Sequence, residues 1–235
     1  MPSAKLHLPF SVPIFEFDLE QPYVDMINDW ADEVQKDAAK SKQLDWSENL
    51  VGNVVQEHAI EDHIWMTAPE GKDDTLLQYM TVVTDHYIKQ VYGNIPNEPN
   101  SYRNKSSGPD IGSLSVNTSW IVNQVAGDFN PPHIHGGDIS FVIFVDVPKQ
   151  LSKEMEEHEG TTAKPGQLMF NYGENSKGKQ WATIGHHVTP RTGDMYIFPA
   201  QQQHWVAPFK SEVTRISVSG NLKVQYPEGT PTKWF

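Results

Sequence analysis

Apolar residues follow two rhythms along this chain, and the rhythm changes near residue 112. From Phe10 to Leu19 the order Phe-Ser-Val-Pro-Ile-Phe-Glu-Phe-Asp-Leu alternates apolar and polar at its end, which predicts a strand. Pro13 lacks an N–H for the ladder and makes it an edge strand or a strand start. Tyr23, Ile27, Trp30 and Val34 then recur at intervals of three and four, predicting a helix from about Pro22 to Lys40. A second helix, from about Asp74 to Tyr92, puts Leu76, Leu77, Met80, Val83, Tyr87, Ile88 and Val91 on one broad face, and Gly93 ends it. The polar stretch Asn94 to Gly112, punctuated by Pro and Gly, predicts a connection.

Beyond Ile111 the runs shorten to strand length. Leu114–Val122 is one strand, and Ile139–Val147, apolar on both faces, is a central one. Gln167–Tyr172, Ala182–Val188, Asp194–Phe198 and Thr214–Val218 supply four more. Lys149–Gly166 is polar and charged and reads as an insertion. Helices followed by six or more short strands predict an α+β, mainly β, chain with helices packed on a sandwich or barrel. The spread of strands argues against a parallel α/β fold. There is no internal repeat and no low-complexity tract, so residues 1–235 are expected to form a single domain, with 1–112 as a helical support and 113–224 as the β core.

Composition narrows the function. The longest apolar run, Phe141–Val145, is far below the roughly 20 residues a membrane helix needs. The opening MPSAKLHLPFSVPIF has no basic region ahead of a long apolar one, so no secretory signal is expected. With 0 Cys, disulfides, thiolate metal sites and Cys nucleophiles are all excluded. A formal charge of −12 disfavours a broad grip on nucleic acid. Ten His in such a chain are the composition signal to follow.

Three motifs could carry chemistry. In Asn130-Pro-Pro-His-Ile-His-Gly-Gly-Asp138, His133 and His135 share one face of an extended segment and can point at one ligand; the alternative is a pair of solvated loop histidines. In Gly193-Asp-Met-Tyr-Ile-Phe-Pro, a Gly-Asp turn starts an apolar strand, and His204 stands just past its end. A third ligand there would complete one face of an octahedron and leave three positions open; alone, it would read as a surface His beside a packed Trp205. Arg215 and Ser217 share one face of the last predicted strand. An Arg on the inward face of a small barrel is costly unless it meets an anion, and its planar fork suits a carboxylate.

His-x-His, strand, gap, Gly-Asp, strand, His and Arg-x-Ser, in that order, resemble the double-stranded β-helix 2-oxoglutarate/Fe(II) dioxygenases. The closer likeness is to the 2OG-Fe(II) oxygenase group found widely in marine bacteria and phages. It runs through Phe10-Ser-Val-Pro-Ile-Phe, Trp120-Ile-Val-Asn-Gln, Asn130–His135, Ser140–Val147 and Gly193–Asn221, and is more specific in the second half. The resemblance implies a jelly-roll, cupin-like fold and a non-haem Fe(II) oxygenase. Such an enzyme couples oxidative decarboxylation of 2-oxoglutarate to hydroxylation of a substrate, here unidentified. It implies His133, His135 and His204 on Fe(II), and Arg215 with Ser217 on the distal carboxylate of 2-oxoglutarate. Asn123 is expected as a further contact to cosubstrate or substrate.

The superfamily usually has His-x-Asp or His-x-Glu where this chain has His133-Ile-His135, so His135 takes the carboxylate's place. Asp138 is the alternative ligand, or could orient a histidine instead. His186 and His187 face opposite ways and stay outside the set, and Trp120 and Trp205 are expected to pack the barrel. The implied partners are 2-oxoglutarate, O2 and the substrate, with no membrane, no nucleic acid and room for a homodimer. The implied location is the cytoplasm of a bacterium or of a phage-infected cell. Two other classes stay open: a cupin-type three-His metal enzyme that uses no 2-oxo acid, and a non-enzymatic jelly-roll binding module. The first leaves Arg215 without a purpose, and the second leaves the histidines without one.

Overall fold

The computed structural model describes residues 4–7, 12–54, 56–94, 111–160, 163–171 and 185–228. Eleven strands in these segments form two antiparallel sheets. In chain order they are β1 (Ala4–His7), β2 (Ile14–Asp18), β3 (Glu57–Ala59), β4 (Ser113–Gln124), β5 (Asn130–His133) and β6 (Ile139–Asp146). There follow β7 (Leu168–Asn171), β8 (Gly185–Val188), β9 (Asp194–Pro199), β10 (His204–Val206) and β11 (Arg215–Gln225). The larger sheet has the order β1-β2-β9-β6-β11-β4-β3, and the smaller one β5-β10-β7-β8. The helices are α1 (Gln21–Lys36), α2 (Ala38–Leu44), α3 (Asp62–Trp65), α4 (Leu76–Asn94) and α5 (Lys149–Glu157).

Strand β6 explains the layering. It lies between β9 and β11 in the middle of the larger sheet and is apolar on both faces, as a strand covered on both sides must be. Phe141, Ile143 and Val145 face α1 and α4, packing with Val24, Ile27, Trp30, Met80 and Val83. Val142 and Phe144 face the smaller sheet, packing with Leu168, Phe170, Phe198 and Val206. Three layers result: helices, larger sheet, smaller sheet. Strand β11 obeys the same alternation, with Val218 and Leu222 toward the helices and Arg215 and Ser217 between the sheets.

The observed elements depart from expectation at identifiable points. The helix expected to reach Lys40 stops at Lys36, because Asp37 is extended and its Oδ1 accepts from the N–H groups of Ala39 and Lys40 at 2.9 and 3.1 Å. That side chain caps a new helix, α2, instead of continuing the old one. The polar Lys149–Gly166 stretch contains α5, anchored by Leu151 and Met155 against Phe209. Glu154 ties α5 down by accepting from the N–H and hydroxyl of Ser211 at 2.8 and 2.6 Å. Most of the expected connection Asn94–Gly112 lies outside the described residues. Strands β1, β2 and β3, from the N-terminal part, complete the larger sheet at its two edges. Among the described residues no helix is long and apolar enough to cross a membrane.

Gly220 of β11 permits the tight approach of helix-facing side chains to the sheet. A Cβ there would stand 2.6 Å from the Phe141 ring and 2.7 Å from the Thr118 carbonyl oxygen. Gly220→Ala should therefore destabilise the fold by about 1–3 kcal/mol, the usual cost of overpacking a filled interior. Urea unfolding of the two proteins measures it, with a lower midpoint and an unchanged slope expected.

Candidate metal centre

Three imidazoles converge at one end of the space between the sheets. Strand β5 pairs with β10 so that His133 lies directly opposite His204, whose other neighbour is Phe170 of β7. His135 follows β5 and is fixed by its backbone: its N–H donates to Ala200 O at 2.9 Å, and its carbonyl accepts from Gln201 Nε2 at 3.0 Å. Ring centroids are 4.4 Å apart for His133 and His204, 4.8 Å for His133 and His135, and 5.0 Å for His135 and His204. One nitrogen from each ring can be chosen such that all three lie within 4.8 Å of one another.

Hydrogen bonding sets the rings up as ligands. His133 Nδ1 lies 2.6 Å from the Pro131 carbonyl, and His204 Nδ1 lies 2.9 Å from the Gln202 carbonyl. A carbonyl only accepts, so each Nδ1 carries the proton and each Nε2 keeps its lone pair for a metal. Burial pushes all three imidazoles toward the neutral form. His204, only 6% exposed, is lowered to about 3 by desolvation and by the adjacent His133 and His135. His135 falls to about 4 by desolvation and by His133, and His133 is lowered by desolvation against the pull of the Pro131 carbonyl.

Facing them from the larger sheet is Arg215, buried to 2% exposure at the start of β11. One terminal nitrogen donates to Gly166 O at 2.8 Å, and the guanidinium sits 5.1 Å above the Phe144 ring centroid. Its Nε has no hydrogen-bond partner, and among the described residues no carboxylate lies within 4.0 Å. Desolvation lowers its pKa to about 9, which still leaves it charged at neutral pH. Ser217, buried two residues on, lines the same cavity as Arg215, Phe144, Leu168 and the three histidines.

Two expected site residues lie elsewhere. Asn123 is on the helix-facing side of β4, where its Oδ1 accepts from Gln35 Nε2 of α1 at 2.7 Å; alternation along β4 sends Trp120 and Val122 into the cavity and Asn123 away from it. Asp138 is also outside the imidazole cluster. It is paired with Lys223 Nζ at 3.0 Å and accepts the Val224 N–H at 2.9 Å, which pins the approach to β6 onto β11.

The remaining aromatic residues and histidines separate by their packing. Trp120 lines the cavity beside His135, at 5.5 Å between centroids, while Trp205 points away to donate to Asn171 Oδ1 at 3.1 Å. His186 stacks near Phe170 and His187 is exposed. His58 is buried with Nε2 2.8 Å from Ser41 Oγ, and His86 packs edge-on against Phe15. One side chain at the site was not foreseen. Glu57 of β3 lies opposite Val122 and lines a pocket shared with Trp120, Asn130, His133 and His135. Its three-residue strand gives no periodicity to read.

Residues 118–221 match the family described as "Putative 2OG-Fe(II) oxygenase". No curated protein matches the chain. Among solved structures, a Pseudomonas putida prolyl-4-hydroxylase is similar at 13% identity and a TM-score of 0.47, covering 93% of this chain and 95% of that one. A Trichoplax adhaerens prolyl hydroxylase in complex with a hypoxia inducible factor peptide fragment is similar at 12% identity and 0.44, covering 89% and 80%. A Burkholderia pseudomallei oxidoreductase of the 2OG-Fe(II) oxygenase family has 12% identity and 0.34, covering 62% and 54%. All three TM-scores lie below 0.5.

The lowered pKa values have a consequence for the metal-free protein. The unfolded chain protonates its histidines near 6.5 while the folded cluster stays neutral, so the unfolded state takes up more protons as pH falls. The cluster's contribution to stability is therefore full above pH 6.5 and is lost progressively toward pH 3. Glu57, raised to about 7, acts in the opposite direction over part of this window. Its effect cancels when the wild type is compared with His204→Gln. Between pH 6 and 4 the variant's unfolding free energy should fall less steeply, by up to about 1.4 kcal/mol per pH unit for the one proton removed. Urea titrations of both metal-free proteins across that range give the two slopes.

Proposed function

We propose that the chain is a 2OG-Fe(II) oxygenase, the family that its residues 118–221 match, that His133, His135 and His204 hold its iron and that Arg215 with Ser217 binds 2-oxoglutarate. In the same proposal residues 1–235 act as one oxygenase domain, with 1–112 as support and 113–224 as core. The two sheets are then the walls of a double-stranded β-helix. The observation that carries this reading is Arg215: a buried guanidinium with an open Nε and no carboxylate of its own among the described residues. Such a charge calls for an anion from outside, and the cavity that supplies the space also holds the imidazoles.

The donor set fits a divalent first-row metal. The three neutral imidazole nitrogens of His133, His135 and His204 would hold the ion from the protein's side, leaving the rest of its coordination to cosubstrate and solvent. Fe(II), when bound, would supply the redox chemistry by which O2 is reduced as 2-oxoglutarate loses CO2 to become succinate and a substrate C–H is hydroxylated. With His135 in place of the superfamily's usual carboxylate, the ligands would carry no charge and leave the ion's double charge intact, which would strengthen its pull on an anionic cosubstrate.

The rest is done by the chain's own side chains. Gly166 O keeps one guanidinium nitrogen occupied and so orients the fork. The free edge of that fork can take the distal carboxylate, with the Ser217 hydroxyl donating beside it. Phe144, Leu168 and Val206 keep water from the pair, and in a drier medium the attraction is stronger. O2 and 2-oxoglutarate are thus the small-molecule partners, in a cytoplasmic setting where both are at hand. The −12 charge leaves nucleic acid outside the proposal, and a homodimer is compatible with it. A cupin-type three-His enzyme would account for the imidazoles but would have no use for Arg215.

Two sets of variants test this. His133→Ala and His204→Ala should lose Fe(II) and all 2-oxoglutarate turnover, whereas His135→Asp should keep iron; full iron occupancy in His204→Ala would overturn the ligand set. Arg215→Ala should leave iron content unchanged and weaken 2-oxoglutarate binding by about thirty- to several-thousand-fold. That range corresponds to roughly 2–5 kcal/mol for removing one partner of a buried charge pair. Arg215→Lys should recover only part of the loss, since an ammonium cannot make the two-pronged contact. Metal analysis and calorimetry on the same preparations read both, and wild-type 2-oxoglutarate affinity in Arg215→Ala would favour the cupin alternative.

A further inference from the structure

Next to the imidazole cluster lies a second pocket, and it is lined by a carboxyl group that lacks a partner among the described residues. Glu57 is 1% exposed, and among the described residues neither of its carboxylate oxygens has a hydrogen-bond partner. It belongs to the edge strand β3 and shares the inward face of the sheet with Val122. From there it lines the pocket together with Leu50, Trp120, Asn130, His133 and His135. A carboxylate kept for structure would be expected to accept N–H groups or meet a cation, and Glu57 does neither. An apolar residue of similar size would fill the same space at no electrostatic cost.

The surroundings specify the chemistry of what is missing. Desolvation, Asp128 and Asp45 all disfavour the ionised form of Glu57 and raise its pKa to about 7. Asp128 and Asp45 do not line the pocket but act through space on Glu57, and together the three acidic side chains disfavour an anionic guest and favour a cationic one. The Trp120 indole and Leu50 offer an apolar wall for the stem of such a guest, and an aromatic face beside a carboxylate suits a cation that also has N–H groups to donate. His133 and His135 border the same pocket, so a guest anchored on Glu57 is held beside the metal centre.

We propose that Glu57 is the specificity residue for the hydroxylated substrate, which it binds through a protonated amine or a guanidinium. The inference rests on the oxygenase reading of His133, His135 and His204. The cation can come from a free small molecule or from a Lys or Arg side chain of a peptide, and the recognition chemistry is the same.

The test is calorimetry under nitrogen on protein loaded with Fe(II) and 2-oxoglutarate. One arm uses free L-lysine and L-arginine with their neutral counterparts L-norleucine and L-citrulline. The other uses blocked Ala-Lys-Ala and Ala-Arg-Ala peptides with the same neutral replacements. In at least one pair the cation should bind ten-fold or more tightly than its neutral counterpart, and the arm in which this occurs identifies the source. Glu57→Gln should remove that preference and leave iron content and 2-oxoglutarate affinity unchanged. Glu57→Asp, which keeps the charge but shortens its reach, should retain a reduced preference and serves as a second variant if Glu57→Gln does not fold. Equal binding of cations and neutral counterparts, no binding of either, or an undiminished preference in Glu57→Gln would overturn the proposal. A wild type that takes up neither Fe(II) nor 2-oxoglutarate yet keeps a Glu57-dependent cation preference would overturn the oxygenase reading alone.

Discussion

Burying the guanidinium of Arg215 with one carbonyl and one aromatic ring for company is the constraint around which this end of the molecule is organised. A charge in that position is tolerable only if the fold holds it rigidly and leaves a way for an anion to reach it. Rigidity comes from β11, which is paired along its length with β4 on one side and β6 on the other. The opposite wall is built from residues that add no charge: Phe170, Leu168 and Val206, and three imidazoles held neutral by the same desolvation that acts on Arg215. The interior of the site is thus positive while the chain as a whole carries −12. An anion bound as proposed would therefore be held by the charge inside the cavity and not by the surface field.

That arrangement depends on strict alternation in the larger sheet. Helices cover one face and the smaller sheet the other, so every second residue of β4, β6, β9 and β11 has a different neighbourhood from the residue beside it. Ser217 lines the cavity while Val218 is embedded among helix-facing residues. A single-residue slip would send Arg215 into the helix layer and a valine toward the imidazoles.

The same alternation marks where the sequence was legible and where it was not. Strands β4, β6, β7 and β9 are long enough, and apolar enough, to announce themselves, as are α1 and α4. The His and Arg motifs could be recognised because their spacing and order are set by the strands between them. Strands β3 and β10 have three residues each, and β5 is Asn-Pro-Pro-His, which no propensity would call a strand. Their pairing comes from neighbours far away in the chain. Asn123 was misjudged for a different reason: Trp120 and Asn123 are an odd number of positions apart on one strand and cannot face the same way. Asp138 looked like a ligand because it is close to His135 in sequence. In space it serves Lys223 and Val224, eighty-odd residues away, and nothing local records that.

The unforeseen part of the site is also the part with the weakest local signal, and the two facts have one cause. The residues proposed for metal and cosubstrate sit on paired strands or directly beside them, where the fold limits their movement to what the backbone ladder allows. The adjoining pocket is instead bordered by Asn49 at the end of a short 3-10 turn, by Leu50 and Val51 after it, by Glu57 on a three-residue edge strand, and by Ile134 and Gly136 in the segment around His135. Val51 and Ile134 are largely exposed, at 61% and 52%, so their identities are not dictated by the core. Such a rim can change its shape and charge without disturbing β11 or the imidazoles. Glu57 is the exception within it, since it is buried like a core residue yet satisfied by nothing in the core. A residue of that kind costs stability, and a partner arriving from outside, as proposed for this pocket, would offset the cost.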